Sequence, residues 1–400
     1  MINANISHLS TMSLFKIDIK SAYRCIPVRP ADYHLLGLIH NNKVFFDAVL
    51  TFGLSSSCGI FETFSTAANW IAEDRIPELK SKLIHYIDDF LGLCIGSPAA
   101  ASASLSKLLF LMELLGFPIP PDKIEGPART ILFLGIAIDL VNMLVRLDQT
   151  KLLATQALVA DWLNRSHCSY NDIESLAGSL YWVTRVVRGG RTFLRRVVDA
   201  QKERTVRGPL PIEPEIRADL QWWSRFIATY NGRSILPESK WTSNDTPNCW
   251  TLSTDACGTG YGARWNSCYL YGTWSPSQLA LTKREHGIAI STLELAAIVI
   301  ATKTWGSNWK GKRILFECDN EAAVSAINSE SCPNPLMMEL TRELWYLCCA
   351  FDFEIRAVHL PGLLNVDADN LSRGAIDLFL QTHPGVTFSR SIPLQPECLR

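Results

Sequence analysis

Leu83-Ile84-His85-Tyr86-Ile87-Asp88-Asp89-Phe90-Leu91 sets two adjacent carboxylates between apolar runs. Neighbouring carboxylates disfavour one another's charge, and a divalent cation with oxygen ligands relieves the repulsion. Asp-Asp is also ordinary turn chemistry. The third carboxylate, Asp18, ends the run Leu14-Phe15-Lys16-Ile17, which reads as a buried strand. Carboxylates from separate strands of one sheet can converge on two metal ions that clamp the attacking and leaving oxygens of a phosphoryl transfer. The protein's part in such chemistry is to position and neutralise.

Outward from this stretch, Leu36-Ile39 and Val44-Phe46 form an expected hairpin closed by Asn41-Asn42. Helices are expected from about Gly59 to Glu73 and from Ser104 to Leu115, the latter with Leu105, Leu108, Leu109 and Met112 on one face. Phe133-Asp139 and Met143-Leu147 make a further hairpin around Val141-Asn142. That order suggests an antiparallel sheet with helices on one face. From Asp148 to about Tyr230 the pattern turns helical, with Ser169 as an N-cap and Ile173, Leu176, Ala177 and Leu180 as an apolar stripe. Pro209, Pro211 and Pro214 break it, and the polar stretch Pro237 to Asn248 reads as a linker. Strands and helices follow from Thr251 to about Gly374, and the tail beyond Ala375 carries no readable signal. The expected domains are 1–147, 148–240 and 241–374, with 375–400 as a tail.

Phe15-Lys16-Ile17-Asp18-Ile19-Lys20-Ser21-Ala22-Tyr23, Phe52-Gly53-Leu54-Ser55-Ser56, Tyr86-Ile87-Asp88-Asp89, Gly116 to Lys123 and Phe133-Leu134-Gly135 stand in the order of the reverse-transcriptase palm motifs. The set resembles retrotransposon reverse transcriptases, most closely the tyrosine-recombinase elements of the DIRS type. Asp219-Leu220-Gln221-Trp222-Trp223 and Tyr230-Asn231-Gly232 are similar to that group's connecting region. The resemblance implies that Asp18 and Asp88 hold two Mg²⁺ ions, with Mn²⁺ as a substitute, and that Asp89 stands beside them. It implies that Tyr23 excludes a ribose 2′-hydroxyl, that Phe52 and Gly53 line the nucleotide pocket, and that Lys123 lies near the triphosphate. Phe133, Leu134 and Gly135 would grip the primer. The alternative for Tyr23 and Phe52 is plain core packing. Family members usually read Leu-Pro-Phe-Gly-Leu and Ala-Pro where this chain has Leu50-Thr51-Phe52-Gly53-Leu54 and Ser57-Cys58. Only Met1 to Ile17 precede Asp18, so an N-terminally shortened polymerase, largely without its fingers, is expected.

A second set of acids follows. Asp255 ends the run Trp250-Thr251-Leu252-Ser253-Thr254, Glu294 lies on an expected helix, and Asp319 ends Arg313 to Cys318. Strand ends and a facing helix can deliver three carboxylates to one point. With Val358-His359-Leu360-Pro361-Gly362 and Ala368-Asp369-Asn370-Leu371-Ser372-Arg373, these match the motifs of a ribonuclease H domain. The resemblance assigns metal ligation to Asp255, Glu294, Asp319 and Asp369, and proton transfer or product release to His359. Between the two sets, Arg185, Arg188, Arg191, Arg195, Arg196, Lys202, Arg204 and Arg207 crowd one segment. Helical spacing would put Arg188, Arg191 and Arg195 near one face, for salt-dependent contact with a phosphate backbone. A solvated charged face is the other reading.

The chain has 400 residues, 48% hydrophobic and 19% charged, with a formal net charge of −1. This describes a soluble globular protein of two or three domains, the order of elements makes it α+β, and nucleic acid would have to be held by local basic patches. The 12 Cys are scattered without a Cys-x-x-Cys, so no zinc knuckle or disulfide framework is indicated. No signal peptide or membrane span is read, and an intracellular location, cytoplasm or nucleus, is expected. The expected fold is a palm, a helical thumb and connection, and a ribonuclease H-like α/β domain. The expected activity is RNA-directed DNA polymerisation with ribonuclease H cleavage. The implied partners are an RNA template, a DNA primer, an RNA/DNA hybrid and deoxynucleoside triphosphates, with no membrane. The alternatives are a copy that keeps only hybrid cleavage and a non-catalytic nucleic-acid-binding remnant.

Overall fold

The computed structural model describes residues 8, 10–202, 210–235, 249–284 and 287–394, and the chain divides into two compact units, Met1–Asp148 and Gln149–Arg400. The expected linker 237–248, Glu203, Arg204 and Arg207, and most of the segment before Ser10 lie outside the described residues. The architecture is mixed α and β.

In the first unit β1 (Met12–Asp18) is followed by a hairpin of β2 (Gly37–His40) and β3 (Lys43–Phe46), helix α1 (Ser57–Arg75) and the pair β4 (Leu83–Tyr86) and β5 (Asp89–Ile95). Helix α2 (Pro98–Leu114) leads to β6 (Ile124–Ala128), β7 (Thr130–Phe133), β8 (Ile136–Asp139) and β9 (Leu144–Leu147). The main sheet is antiparallel in the order β4-β5-β1-β6. Phe90 through Cys94 of β5 are buried without alternation, as a central strand covered on both faces requires. Phe15 and Ile17 of β1, Phe61, Ala68 and Ala72 of α1, and Leu105, Leu108 and Met112 of α2 share one core with Phe90 and Cys94. Gly92 lies opposite Phe15, and a Cβ there would strike the Phe15 ring at 2.5 Å or closer. The bulk of one residue is accommodated by the absence of a side chain on its partner.

The β2–β3 hairpin turns through Asn41 and Asn42, both left-handed, and is exposed along its whole length. Expected strand Phe133–Asp139 is broken: Leu134 and Gly135, with φ of 50° and 76°, form the tight turn between β7 and β8. An alternating apolar pattern runs through that turn, so the pattern hides it, and only Gly135 marks the left-handed position. Expected helix Ser104–Leu115 starts earlier, because Ser97 caps α2 by accepting the Ala100 N–H and Pro98 occupies its first position.

The second unit opens with helices α3 (Gln149–Asn164), α4 (Tyr170–Val183), α5 (Arg195–Lys202) and α6 (Pro214–Phe226). Ser169 and Asp172 form a reciprocal capping box at the start of α4. Next come β10 (Cys249–Ala256), β11 (Gly260–Trp265), β12 (Cys268–Thr273), α7 (Pro276–Thr282) and α8 (Ile290–Trp305). The unit closes with β13 (Arg313–Cys318), α9 (Glu321–Ser329), α10 (Pro335–Phe351), β14 (Glu354–His359), α11 (Val366–Ser372), α12 (Ile376–Thr382) and β15 (Thr387–Phe388). The large sheet has the order β14-β13-β10-β11-β12-β15; β10, β11 and β12 form an antiparallel meander, and β13 and β14 run parallel to β10. Helix α8 is buried on nearly every face, packed between β10 and α10. The stretch after Ala375 holds a helix and a strand where no signal was read: Phe379 is buried against Tyr269 and Leu371. One aromatic anchor on a seven-residue helix leaves no periodicity to read. No described helix is long and apolar enough to cross a membrane.

Candidate active sites

In the first unit, the antiparallel register of β1 and β5 makes Asp18 and Asp89 Cα partners, and Asp88 sits in the turn between β4 and β5. Ile87, beside it, has φ of 55°, a region a β-branched residue adopts only when its surroundings hold it there. Helix α1 supplies the hold. Glu62 accepts the Ile87 N–H at 3.2 Å and meets His85 Nε2 at 3.1 Å, and Ser65 Oγ donates to the Ile87 carbonyl at 2.5 Å. The Ile19 N–H donates to the Asp88 carbonyl at 3.1 Å, tying the turn to the end of β1.

Burial pushes the Asp88 and Asp89 carboxyls up from their ordinary range, and the charge of Asp18 adds to both shifts. Lys123 Nζ forms an ion pair with Asp18 Oδ2, and Lys16, on the same strand as Asp18, pairs with Glu125 at 2.8 Å. The three acids therefore share a partly exposed edge with one cation already seated on it. The Tyr23 ring packs 5.1 Å from that of Phe52 and 5.9 Å from that of Phe61. Phe52 is 75% exposed, and Gly53, with φ of 87°, has open space where a Cβ would stand. Phe52 is thus a surface ring, which removes core packing as its explanation. Phe133 ends β7, with Leu134 and Gly135 in the following turn.

In the second unit, Asp255 near the end of β10 and Glu294 in the first turns of α8 are 5% and 3% exposed. Asp319 follows β13 directly. Ligand atoms of Glu294, Cys318 and Asp319 lie within 4.8 Å of one another. Burial, then the charges of Asp255 and Asp319, push the Glu294 carboxyl up to about 9. Burial also pushes Asp255 up to about 6; the Ser372 hydroxyl opposes the shift, and Asp319 and Asp369 reinforce it. Asp369, on α11, accepts from Arg373 Nε at 2.6 Å. His359 is exposed at the end of β14, with Nε2 3.2 Å from the Asp319 carbonyl. Gly362 packs beside the Asp319 carboxylate, where a Cβ would lie 3.2 Å from Oδ2. The buried oxygen donors of Asp255 and Glu294, with the charges of Asp319 and Asp369 acting on them, are a donor set a divalent cation suits.

Helical spacing does not carry through the basic stretch: α4 ends at Val183, α5 starts at Arg195, and left-handed Gly189 turns the chain between them. Arg188 pairs with Glu354 at 2.7 Å and stacks on the Tyr230 ring at 4.0 Å. Arg196 pairs with Asp219 at 3.0 Å and Glu339 at 3.1 Å. Arg195 pairs with Asp199 at 2.7 Å, while Arg185 and Arg191 remain exposed. Arg188 and Arg196 are thus taken up in ion pairs with acids distant in sequence, Arg195 pairs within its own helix, and Arg185 and Arg191 stay on the surface.

Glu62, Ser65, Cys318, Asn365 and Ser372 were not singled out from the sequence. Asn365, 2% exposed, donates to the Thr254 carbonyl at 2.8 Å and so ties the loop after His359 to β10. Cys318, Asn365 and Ser372 lie in or beside the motif stretches, the one signal the sequence offers for them; Glu62 and Ser65 become visible only through contacts with the turn at Ile87.

Residues 4–138 match the family model described as reverse transcriptase (RNA-dependent DNA polymerase). No curated protein matches the chain. Among solved structures, a foamy viral protease-reverse transcriptase in complex with an RNA/DNA hybrid is similar at a TM-score of 0.48 and 13% identity, over 88% of this chain and 45% of that one. The same protein in complex with dsDNA matches at a TM-score of 0.47 and 13% identity, over 89% and 71%. The chain thus spans under half the length of the first of these.

Proposed function

With a reverse transcriptase domain over residues 4–138 as the premise, we propose that this chain is the catalytic part of a retroelement RNA-directed DNA polymerase that also cleaves the RNA of an RNA/DNA hybrid. The observation that carries the polymerase half is the meeting of Asp18, Asp88 and Asp89 at one sheet edge within that domain. Asp18 and Asp88 would hold Mg²⁺, with Asp89 adding negative charge beside them. Tyr23, packed on Phe52, would close the nucleotide site to a 2′-hydroxyl by bulk. Lys123 would exchange its Asp18 contact for the triphosphate, and Phe133, Leu134 and Gly135 would hold the primer end on their rigid turn. A DIRS-type origin fits the sequence motifs around Asp219 and Tyr230.

The cleavage half is supported by the approach of Glu294 on α8 to Asp319 after β13, with Asp255 on β10 and Asp369 on α11 close enough for their charges to act within the group. These four would hold the metal, and His359, exposed beside Asp319, would carry a proton near the leaving group. When bound, Mg²⁺ at each site supplies the charge stabilisation of two-metal phosphoryl transfer. Groove shape and RNA 2′-hydroxyls would select the hybrid without base readout.

The test is primer extension on poly-A/oligo-dT and cleavage of a labelled hybrid, each with Mg²⁺. Asp88→Asn should abolish the first and spare the second, and Asp255→Asn the reverse. A chain that cleaves but never extends refutes the polymerase half, and one that does neither refutes both.

A further inference from the structure

The helix that carries Asp369 is fitted to the sheet with unusual closeness. Asp255 pairs with Gly262 across β10 and β11, so the Asp255 side chain and the missing Gly262 side chain face the same way. A Cβ at Gly262 would lie 2.6 Å from the Ser372 nitrogen and 2.8 Å from the Ala368 carbonyl, and one at Gly260 would lie 2.7 Å from the Ser372 carbonyl. Two glycines therefore let α11 lie directly on β11. Arg264, also on β11, forms an ion pair with Asp367 at the other end of the helix. At the near end, Ser372 is 4% exposed, and its hydroxyl donates to Asp255 Oδ2. The Asp369 carbonyl, 3.0 Å from the same oxygen, already accepts the Arg373 N–H. A hydroxyl has one proton, and here the carboxylate takes it.

We propose that Ser372 is a positioning residue: its buried hydroxyl fixes the Asp255 carboxylate against the helix bearing Asp369, so that the two acids meet a divalent cation as one preset pair. This rests on the reading of the second carboxylate cluster as a metal site. Ser372 would touch neither metal nor substrate. It leaves Oδ1 of Asp255 for coordination and removes the freedom of the carboxyl to rotate. Hydrogen-bonded partners of ligating carboxylates commonly set metal affinity in this way.

Mn²⁺ binding to the full chain, read as the free ion by electron paramagnetic resonance, isolates the effect as the portion that Asp255→Asn removes. Ser372→Ala and Ser372→Cys should each weaken that portion on the order of tenfold, and Ser372→Thr, which keeps the hydroxyl, should restore most of it. The two weakening variants give independent chances of a folded protein, checked by melting temperature. Wild-type affinity in a folded Ser372→Ala or Ser372→Cys protein, with Asp255→Asn still abolishing binding, overturns the positioning role and leaves the metal site intact. If Asp255→Asn removes no bound Mn²⁺, the metal site itself fails, and the positioning role with it.

Discussion

The two carboxylate clusters differ in burial: each has one acid paired to a cation, Asp18 to Lys123 and Asp369 to Arg373, but only the second also holds deeply buried acids. Asp18, Asp88 and Asp89 lie on a partly exposed edge where Lys123 neutralises one of them. Asp255 and Glu294 are buried, and their pKa values rise to about 6 and about 9 because desolvation, reinforced by neighbouring carboxylates, outweighs the hydrogen bonds to them and the Arg373 charge near Asp255. In the second cluster the Glu294 carboxyl, at about 9, holds its proton at neutral pH until a cation replaces it.

The largest effect that would separate the two is loss of one ligand. Glu294→Gln should lower hybrid cleavage on the order of 10²–10³-fold with primer extension unchanged, measured as single-turnover rates. Equal losses in both assays would remove the distinction.

Next is pH. In chelator the folded chain keeps protons on Glu294 and Asp255 that the unfolded chain releases, since their folded pKa values exceed the ordinary 4.5 and 3.8. Their contribution to stability is therefore complete below about pH 4 and is lost as pH rises through about 6 and then about 9. The second unit should melt several degrees lower near pH 9 than near pH 5, and Mg²⁺ should reverse the drop. Glu294→Gln should flatten the profile; a slope that survives this substitution assigns it elsewhere.

Smaller effects probe the supports of the first cluster. Gly92→Ala drives a methyl into the Phe15 ring and should destabilise the first unit by about 1–3 kcal/mol, seen as a lower denaturant midpoint with the second unit's transition unmoved. Ser65→Ala removes one bond to the strained turn at Ile87 and should destabilise it by about 1 kcal/mol, with a few-fold drop in extension and none in hybrid cleavage. If extension is insensitive to Ser65→Ala, the α1 brace is not what positions Asp88.

Much of the fold could be read from pattern. The Asn41-Asn42 turn, the Ser169 cap and the strands ending at Asp18 and Cys318 are local features, written in turn chemistry, capping and apolar runs. The basic segment shows where this stops: charge count suggested an outer face, yet Arg188 and Arg196 find Glu354, Asp219 and Glu339 inside the second unit. A sequence displays a charge without its partner. The short elements after Ala375 failed for a related reason, since Phe379 is held by Tyr269 and not by any repeat in its own helix.

By itself the sequence determined which residues could do chemistry and in what order they come: the acids, their flanking strands, and the family motifs around them. Only the tertiary structure decided which of those acids carry a neighbouring cation and which are buried without one. It also revealed that Glu62 and Ser65 brace one site and that Ser372 joins the two edges of the other. The physical reason is that desolvation and hydrogen bonding depend on what surrounds a group in space, and those surroundings come from residues distant in sequence, as Ser372 is from Asp255.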